Sequence, residues 1–165
     1  MSRRVGAFGR IELALARVAN RRGLYLGRRS TRLHCAIYRR SGGRLGGRMP
    51  GFPEVRIVLL DHTGARSGIR RTSPLMALEE SEGLIVAASK AGQPTHPSWF
   101  HNVLAHPETT VQLGPEVRRV RARVATDPEH RRLWPRLVAM YPGFEDFARA
   151  AAPRKIPLVV LEPRR

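Results

Sequence analysis

The sequence predicts a mainly β fold with flanking helices, in which about six antiparallel strands close into a small barrel. From residue 55 onward, short β-branched and leucine-rich runs alternate with glycine and proline turns, a pattern typical of strands. Most connections between the runs are short, as antiparallel neighbours allow. Closing such a sheet removes its exposed edges, which favours a barrel over an open sheet.

The strand signal falls on six runs: residues 55–62, 71–78, 84–88, 109–113, 117–125 and 156–161. A turn at residues 64–68 joins the first two runs into a hairpin, and Gly114-Pro115 joins the fourth and fifth. In the fifth run Arg119, Arg121 and Arg123 alternate with apolar residues. Because successive strand residues point to opposite faces, this alternation predicts one basic face in contact with water.

Helical signals interrupt the strands. Residues 97–105 start at a proline, which is favoured in a first helical turn, and end before His106-Pro107. A second helix is expected to start at Thr126, because Thr126 and Glu129 have the spacing of a capping box. Pro142-Gly143 ends this helix, and residues 144–151 predict a further short one.

Composition divides the chain into three parts. Residues 1–40 are predicted to be a basic amphipathic helical region, since apolar residues recur at helical spacing among arginines from Val5 to Val18. Residues 41–53 contain five glycines and two prolines and predict an arm without regular structure. The barrel domain is expected to span residues 54–165.

Arginine dominates the charge. The 30 basic and 13 acidic residues give a net charge of +17, and only Lys90 and Lys155 are lysines. Residues 1–51 hold 13 arginines and one acid, a net +12. Such an excess favours anionic partners, namely phosphodiesters, acidic lipid headgroups or a polyanionic cofactor, without choosing among them.

The sequence also predicts a location. Cys35 is the one cysteine and no zinc ligand cluster is visible, so a reducing, cytoplasmic compartment is expected. No apolar run approaches the roughly 18 residues that a membrane-spanning helix needs. The amphipathic N-terminal helix could lie on the anionic inner face of the membrane as a peripheral contact, or pack on its own domain.

Two segments carry candidate site chemistry. Residues 63–71 combine turn glycines, a hydroxyl and three arginines, a set suited to binding phosphate or carboxylate. Such residues are also common in solvated hairpin turns, so this alternative stays open. In residues 87–92, the small residues before Lys90 would let a flat ring approach the backbone. Lys90 itself could pair with an anion or could be an ordinary surface lysine. Trp99 and Asn102 share a helical face and could form a stacking wall with an amide, or pack in the core.

No metal site is predicted, because His96, His101 and His106 recur every five residues and would be scattered around a helix. Asp61-His62 is not read as a catalytic pair, since neighbours in a strand point to opposite faces.

Four runs of residues, in order, resemble the deazaflavin-dependent nitroreductase family of actinobacterial flavin/deazaflavin oxidoreductases. They are VLLDHTGARSGIRRTSPLMAL, LIVAASKAGQPTHPSWFHNVLAHPETTVQ, LWPRLVAMYPGFEDF and RKIPLVVLEP, within residues 38–163. The resemblance implies a split β-barrel, of the FMN-binding split-barrel-like type, that binds coenzyme F-420. This 8-hydroxy-5-deazaflavin with an oligoglutamate tail would donate a hydride to quinone-like, activated-alkene or nitro-aromatic acceptors.

The same resemblance implies roles for individual residues. The phosphate and tail would be held by the turn, with the ring bordered by the next strand, the lysine segment and the helix beside them. The implied cofactor-binding set is Ala65, Arg66, Ser67, Gly68, Arg70, Arg71, Thr72, Pro74, Leu75, Ala87, Ala88, Ser89, Lys90, Ser98, Trp99 and Asn102. Ala65 departs from the family, which often has a basic residue there, and Arg70 is the expected replacement.

The resemblance also places Tyr141, Phe144 and Phe147 in the substrate pocket. Phe144 and Phe147 stand where nitroimidazole-reducing members have tyrosines, and neither can donate a proton. We therefore expect a small planar apolar acceptor such as a quinone, with Tyr141, Ser89 or water as the candidate proton donor.

Two alternatives stay open from the sequence. The barrel could bind FMN or haem instead, as relatives of the fold do. A basic nucleic-acid-binding module is the other, although aromatic residues are only 6% of the chain and no specific nucleic acid is expected. Both a monomer and a homodimer fit the sequence.

Overall fold

The computed structural model describes residues 28–164. Seven strands and four helices of the described chain are labelled in chain order as follows: α1 Arg28–Ser41, β1 Arg48–Met49, β2 Phe52–Thr63, β3 Arg70–Glu80, β4 Gly83–Ala87, α2 Ser98–Ala105, β5 Glu108–Leu113, β6 Glu116–Val124, α3 Asp127–Met140, α4 Gly143–Ala151 and β7 Leu158–Pro163.

Six of these strands form the predicted barrel. The sheet runs in the order β1-β2-β3-β4-β7-β6-β5, and β2 also pairs with β5, so strands β2 to β7 close on themselves. Every pairing is antiparallel. The closing contact is short, because β2 and β5 pair only through Leu59 with Gln112 and Leu60 with Val111. The predicted fold class is confirmed.

The barrel encloses one apolar core, and helices cover a second. Inside the barrel, Val58, Leu60 and Val86 pack against Trp99 and Phe100 of α2, which plugs one end. The outer face of β4 and β7 carries the second core, to which α3 and α4 contribute. Each of these strands therefore buries residues on both faces.

The N-terminal boundary of the folded core differs from the prediction. Helix α1 packs on the barrel through Cys35 and Tyr38. The Tyr38 hydroxyl donates to the Ile57 carbonyl at 2.8 Å and accepts from the Gly114 amide at 2.9 Å. The core thus begins before residue 41. The amphipathic pattern from Val5 to Val18 lies outside the described residues.

The segment predicted as an arm is also partly regular. Strand β1 pairs with β2, which itself begins at Phe52 rather than at residue 55. Phe52 is buried and contacts the ring of Tyr141 edge-on at 5.1 Å between centroids. The prediction of residues 41–53 as wholly irregular is therefore wrong, because apolar side chains at their end pack on the second core.

The remaining helices follow their sequence signals. Thr126 caps α3, and its capping box with Glu129 is formed in both directions. Hydrogen bonds from Arg123 and the Thr126 amide hold the pKa of Glu129 at about 2. Arg119 and Arg121 of β6 are exposed, as the alternation predicted, whereas Arg123 is half-buried between Glu129 and Glu162.

Candidate functional site

We call the region where β3 and β4 stop pairing the groove. The pairing of β3 with β4 covers only Ala77 to Glu80, whereas β3 stays paired with β2 from Arg70 to Ala77. Along residues 70–76, no strand of the described chain pairs with the other edge of β3. Extending the register places Pro74 opposite Ser89 and Leu75 opposite Ala88. The predicted ring-binding residues of β3 and of the lysine segment thus lie on the two sides of one opening.

The lysine segment forms a strained turn. Lys90, Ala91 and Gly92 all have positive φ angles, of 49°, 51° and 78°, and the first two are not glycine. Left-handed backbone costs on the order of 1–3 kcal/mol per non-glycine residue and persists only where surrounding contacts hold it. The Lys90 ammonium donates to the Thr95 hydroxyl at 2.7 Å, on the solvent side of the turn.

Arg154, a residue that the sequence did not single out, holds this turn through hydrogen bonds to its backbone carbonyls. Its guanidinium donates to the carbonyls of Ala88 at 3.2 Å, Ser89 at 2.8 Å and Gln93 at 2.7 Å, and contacts His96 Nδ1 at 3.1 Å. Burial lowers the pKa of Arg154. The bonds span about sixty residues of sequence, so no local pattern signals them; the only hint is that Arg154 belongs to the RKIPLVVLEP run.

Helix α4 packs against the other side of the turn. A Cβ atom built on Gly92 would lie 2.7 Å from the Ala150 Cβ and 3.0 Å from the Phe147 carbonyl oxygen. Only glycine permits this approach. The contact places the predicted substrate residue Phe147 directly beside the predicted cofactor segment.

The three predicted substrate-pocket rings form one cluster. The Tyr141, Phe144 and Phe147 centroids are 5.7–6.1 Å apart. Tyr141 and Phe144 are only 2% and 1% exposed, because they belong to the second core beneath Phe52. Phe147 is half-buried. In this conformation Phe147 alone of the three offers a surface to a small molecule.

The basic turn between β2 and β3 is exposed from Ala65 to Arg71 and anchored at its start. The Ala65 amide donates to Asn102 Oδ1 at 2.9 Å, and the Gly64 and Gly68 amides bond within the turn. Among residues 28–164, the amides of Arg66 and Ser67 find no acceptor. The Ala65 amide is therefore taken up by an internal bond that fixes the turn to α2.

Asn102 connects this turn to the barrel interior. Its Nδ2 donates to His62 Nδ1 at 2.9 Å, and His62 Nε2 lies 3.0 Å from the Ser73 hydroxyl. The bond from Ala65 fixes the orientation of the amide, so neutral His62 carries its proton on Nε2. Asn102 is 7% exposed. Its amide accepts one hydrogen bond from the turn and donates one to His62, and so positions the turn; its contact with a cofactor stays a prediction.

Burial, followed by the charge of Arg71, lowers the pKa of His62 to about 4. The unfolded chain, with a pKa near 6.5, takes up a proton first on acidification, so stability is complete above about pH 6.5 and falls toward pH 4. Between about pH 7.5 and pH 5 we expect a loss of about 2 kcal/mol in unfolding free energy from this residue. Urea unfolding of wild type and His62→Gln at both pH values checks it; an equal pH dependence of the two proteins would contradict it.

Three other predicted residues have different surroundings. Trp99 is 6% exposed and belongs to the barrel core, which favours the packing alternative; its contact with a cofactor stays a prediction. The Thr72 hydroxyl donates to Asp61 at 2.6 Å and accepts from Arg39 at 3.0 Å, which ties it to α1. Ser98 is exposed in the first turn of α2, on the chain leading from the lysine segment.

The predicted site carries uncompensated positive charge. Within the described part of the chain, acidic groups pair with other cations, and none lies within 4.0 Å of Arg66, Arg70, Arg71 or Lys90. Four free cations beside an opening lined by small residues suit a flat ring that carries anionic groups.

Comparison with known proteins identifies the family. Residues 30–163 match the model of the F420H(2)-dependent quinone reductase family. The chain belongs to this family. A reductase of that name from Mycobacterium tuberculosis is 35% identical over 142 residues, which cover 85% of this chain and 94% of the relative.

Solved structures agree with membership in the F420H(2)-dependent quinone reductase family. One described as an F420-H2 dependent reductase has a TM-score of 0.57 and 40% identity, covering 64% of this chain and 93% of its own. Another, described as a domain-swapped dimer, has a TM-score of 0.59 and 39% identity, covering 64% and 79%. Family membership confirms the predicted enzyme class, an oxidoreductase that uses coenzyme F-420.

Proposed function

We propose that the protein reduces quinone-like planar apolar acceptors with reduced F-420, in the groove between β3 and the lysine segment. The observation that carries this proposal is the position of Lys90. A strained turn holds it at the point where β3 and β4 part, with Phe147 on one side and unpaired arginines along the opening. When bound, the coenzyme supplies the hydride.

The chain's own residues would hold and orient the ring. Ala87 and Ala88 would present no bulky side chain to a flat molecule, while the partly exposed Pro74 and Leu75 would form the opposite wall. Lys90 would bind a phosphate group, and the Arg66–Arg71 turn, at another place along the groove, would bind phosphate and carboxylate groups. Contacts at these two places would fix the ring beside Phe147, where close approach to an acceptor lowers the activation barrier of hydride transfer.

The acceptor side of the groove is apolar. Phe147 offers a ring edge or face without a hydroxyl, which favours a planar acceptor over one that needs protonation from a tyrosine at this position. Charge arriving on the acceptor oxygen requires a proton. Ser89 adjoins the Lys90 turn and is 9% exposed, whereas Tyr141 is 2% exposed beneath the second core, so we infer that Ser89 or water delivers it. Steady-state turnover of a benzoquinone beside a nitroimidazole tests the preference.

Lys90→Ala should weaken F-420 binding about tenfold or more, because a charge-assisted contact to phosphate is lost. The measurement is a fluorescence titration of the full chain with F-420, beside FMN and NADPH. Lys155→Ala is the matched control, since Lys155 is the other lysine and pairs with Asp127. Equal weakening by both substitutions would place the phosphate elsewhere, and tight binding of FMN alone would overturn the choice of cofactor.

We further propose a cytoplasmic enzyme with a peripheral contact to anionic membrane. No helix within residues 28–164 is long and apolar enough to cross a membrane. Helix α1 exposes Leu33 and Ile37 beside Arg29 and Arg32, a combination that binds anionic lipid surfaces. The full chain should float with vesicles containing phosphatidylglycerol and not with phosphatidylcholine alone. Dimerisation, as in the domain-swapped neighbour, is a separate proposal that sedimentation tests.

A further inference from the structure

A pocket of about 250 Å³ lies between helices α3 and α4, and none of its lining residues belongs to the groove. The two helices form a hairpin, and Trp134 contacts Phe144 near the closed end, with ring centroids 6.2 Å apart. At the open end of the hairpin, the chain from Ala152 to Ile156 passes between the helices on its way to β7. The pocket is enclosed by these three segments.

The pocket has one aromatic wall and one wall of small residues. On α3, the rings of His130 and Trp134 are stacked, with 7° between their planes and 5.5 Å between their centroids. His130 Nε2 donates to the Ile156 carbonyl at 2.9 Å, which fixes the orientation of the imidazole ring. The segment that includes α4 contributes Ala148 and Ala152. A flat ring fits between two such walls with its face against an aromatic side chain.

The volume limits the size of the ligand. An apolar cavity of about 150 Å³ holds a benzene molecule, whereas pockets for drug-sized ligands measure roughly 300–1,000 Å³. At about 250 Å³, this pocket has room for one substituted ring.

The lining also carries positive charge. Arg154 donates to backbone carbonyls of the lysine segment, and no acidic group of the described chain lies within 4.0 Å of its guanidinium. Lys155 pairs with Asp127 at 2.7 Å, but these side chains are 63% and 75% exposed, so water screens the pair. A ligand carboxylate would be attracted by Arg154 and could accept a hydrogen bond from Lys155.

We propose that this pocket is a binding site for a small planar aromatic carboxylate, with its ring against Trp134 and its carboxylate toward Lys155. A neutral ring of the same shape would not be attracted by the two cations. An aliphatic acid of the same charge would lack the flat face that packs on an indole ring. The inference goes beyond the proposed function and does not depend on it, because the pocket and the groove have no residue in common.

Benzoate is the probe, titrated against the full-length protein without coenzyme and followed by ligand-detected NMR. We expect a dissociation constant of about 1 mM, as is typical of a ligand with so few atoms. Benzamide has the same shape without the charge, and cyclohexanecarboxylate has the same charge without the flat ring. Each should bind about fivefold more weakly than benzoate.

Substitutions locate the bound ring. Ala148→Leu fills the pocket and should weaken benzoate binding about tenfold or more. Ala139→Leu makes the same change at an exposed position of α3 and should leave benzoate binding unchanged. Lys155→Gln should reduce the preference for benzoate over benzamide about threefold. If thermal unfolding shows that Ala148→Leu is not folded, Ala152→Leu obstructs the pocket from an exposed position.

Three results would overturn the inference. The first is the absence of benzoate binding to wild type. The second is equal binding of benzoate and cyclohexanecarboxylate, which would indicate a general attraction of anions to the basic surface. The third is unchanged benzoate binding in Ala148→Leu and Ala152→Leu together with a loss in Lys90→Ala, which would place benzoate in the groove. Since no coenzyme is present, a failure of F-420 to bind would contradict the proposed function and leave these results unaffected.

Discussion

Replacing Gly92 by alanine is expected to lower the free energy of unfolding by about 2–4 kcal/mol. Two effects add at this position. The backbone has a φ of +78°, which a residue with a Cβ adopts only at a cost, and that Cβ would lie 2.7 Å from the Ala150 Cβ. Since the Phe147 backbone also stands within 3.2 Å, α4 would have to move away from the lysine turn. Urea unfolding measures the loss.

Gly114→Ala separates the two effects. Gly114 has a φ of +62°, and the atom nearest its built Cβ is the Gly42 carbonyl oxygen at 3.7 Å. This variant should therefore show only the conformational cost, about 1–2 kcal/mol. Gly92→Ala should additionally weaken F-420 binding, because the turn and Phe147 shift together. Equal losses of stability in the two variants, with binding unchanged in both, would show that α4 does not hold the turn.

Much of the barrel could be predicted because its signals are local. Each of the six strands has its own run of apolar residues, and each hairpin has its own glycine or proline turn. The capping box of α3 likewise needs only Thr126 and Glu129, three residues apart. Strand β1 was missed because a two-residue strand has no periodicity to detect.

The N-terminal boundary could not be read in the same way. Helix α1 joins the core through only Cys35 and Tyr38, too few apolar positions for a clear pattern among arginines. Phe52 lies in a glycine- and proline-rich stretch, yet it packs on Tyr141 and helps to bury that ring. A resemblance to family members indicates which position a residue occupies along the chain, but it does not indicate whether the fold exposes the side chain.

In the candidate site, too, features formed by sequence neighbours could be predicted and bonds between distant residues could not. The basic turn and the lysine segment were predicted because small residues and cations are neighbours in the sequence. The bonds that fix them were not, since His62 and Asn102 are 40 residues apart and Arg154 reaches back more than 60 to Ala88 and Ser89. The sequence left two alternatives open for Asn102 and Trp99, contact with the ligand or packing in the core. Both side chains are buried, which favours a supporting role, and their contact with the cofactor stays a prediction.

Arg154→Ala is expected to weaken F-420 binding about tenfold and to cost about 2–3 kcal/mol of stability. The substitution removes the donors that satisfy the carbonyls of Ala88, Ser89 and Gln93, and the turn thereby loses part of what holds Lys90 and Ala91 in their left-handed backbone. Arg154→Lys should weaken binding nearly as much. A lysine keeps the charge, but a single ammonium cannot reach acceptors on several sides as a planar guanidinium does.

The test distinguishes positioning from stability. Leu113→Ala is the control, because Leu113 lies in the barrel core and makes no hydrogen bond or ring contact with residues 88–96, while its truncation costs about 2–4 kcal/mol. It should leave the F-420 dissociation constant unchanged at a temperature where both proteins are folded. If Leu113→Ala weakens binding as much as Arg154→Ala does, Arg154 acts only through global stability. If Arg154→Lys binds like wild type, charge alone matters and the hydrogen bonds to the turn do not set the position of Lys90.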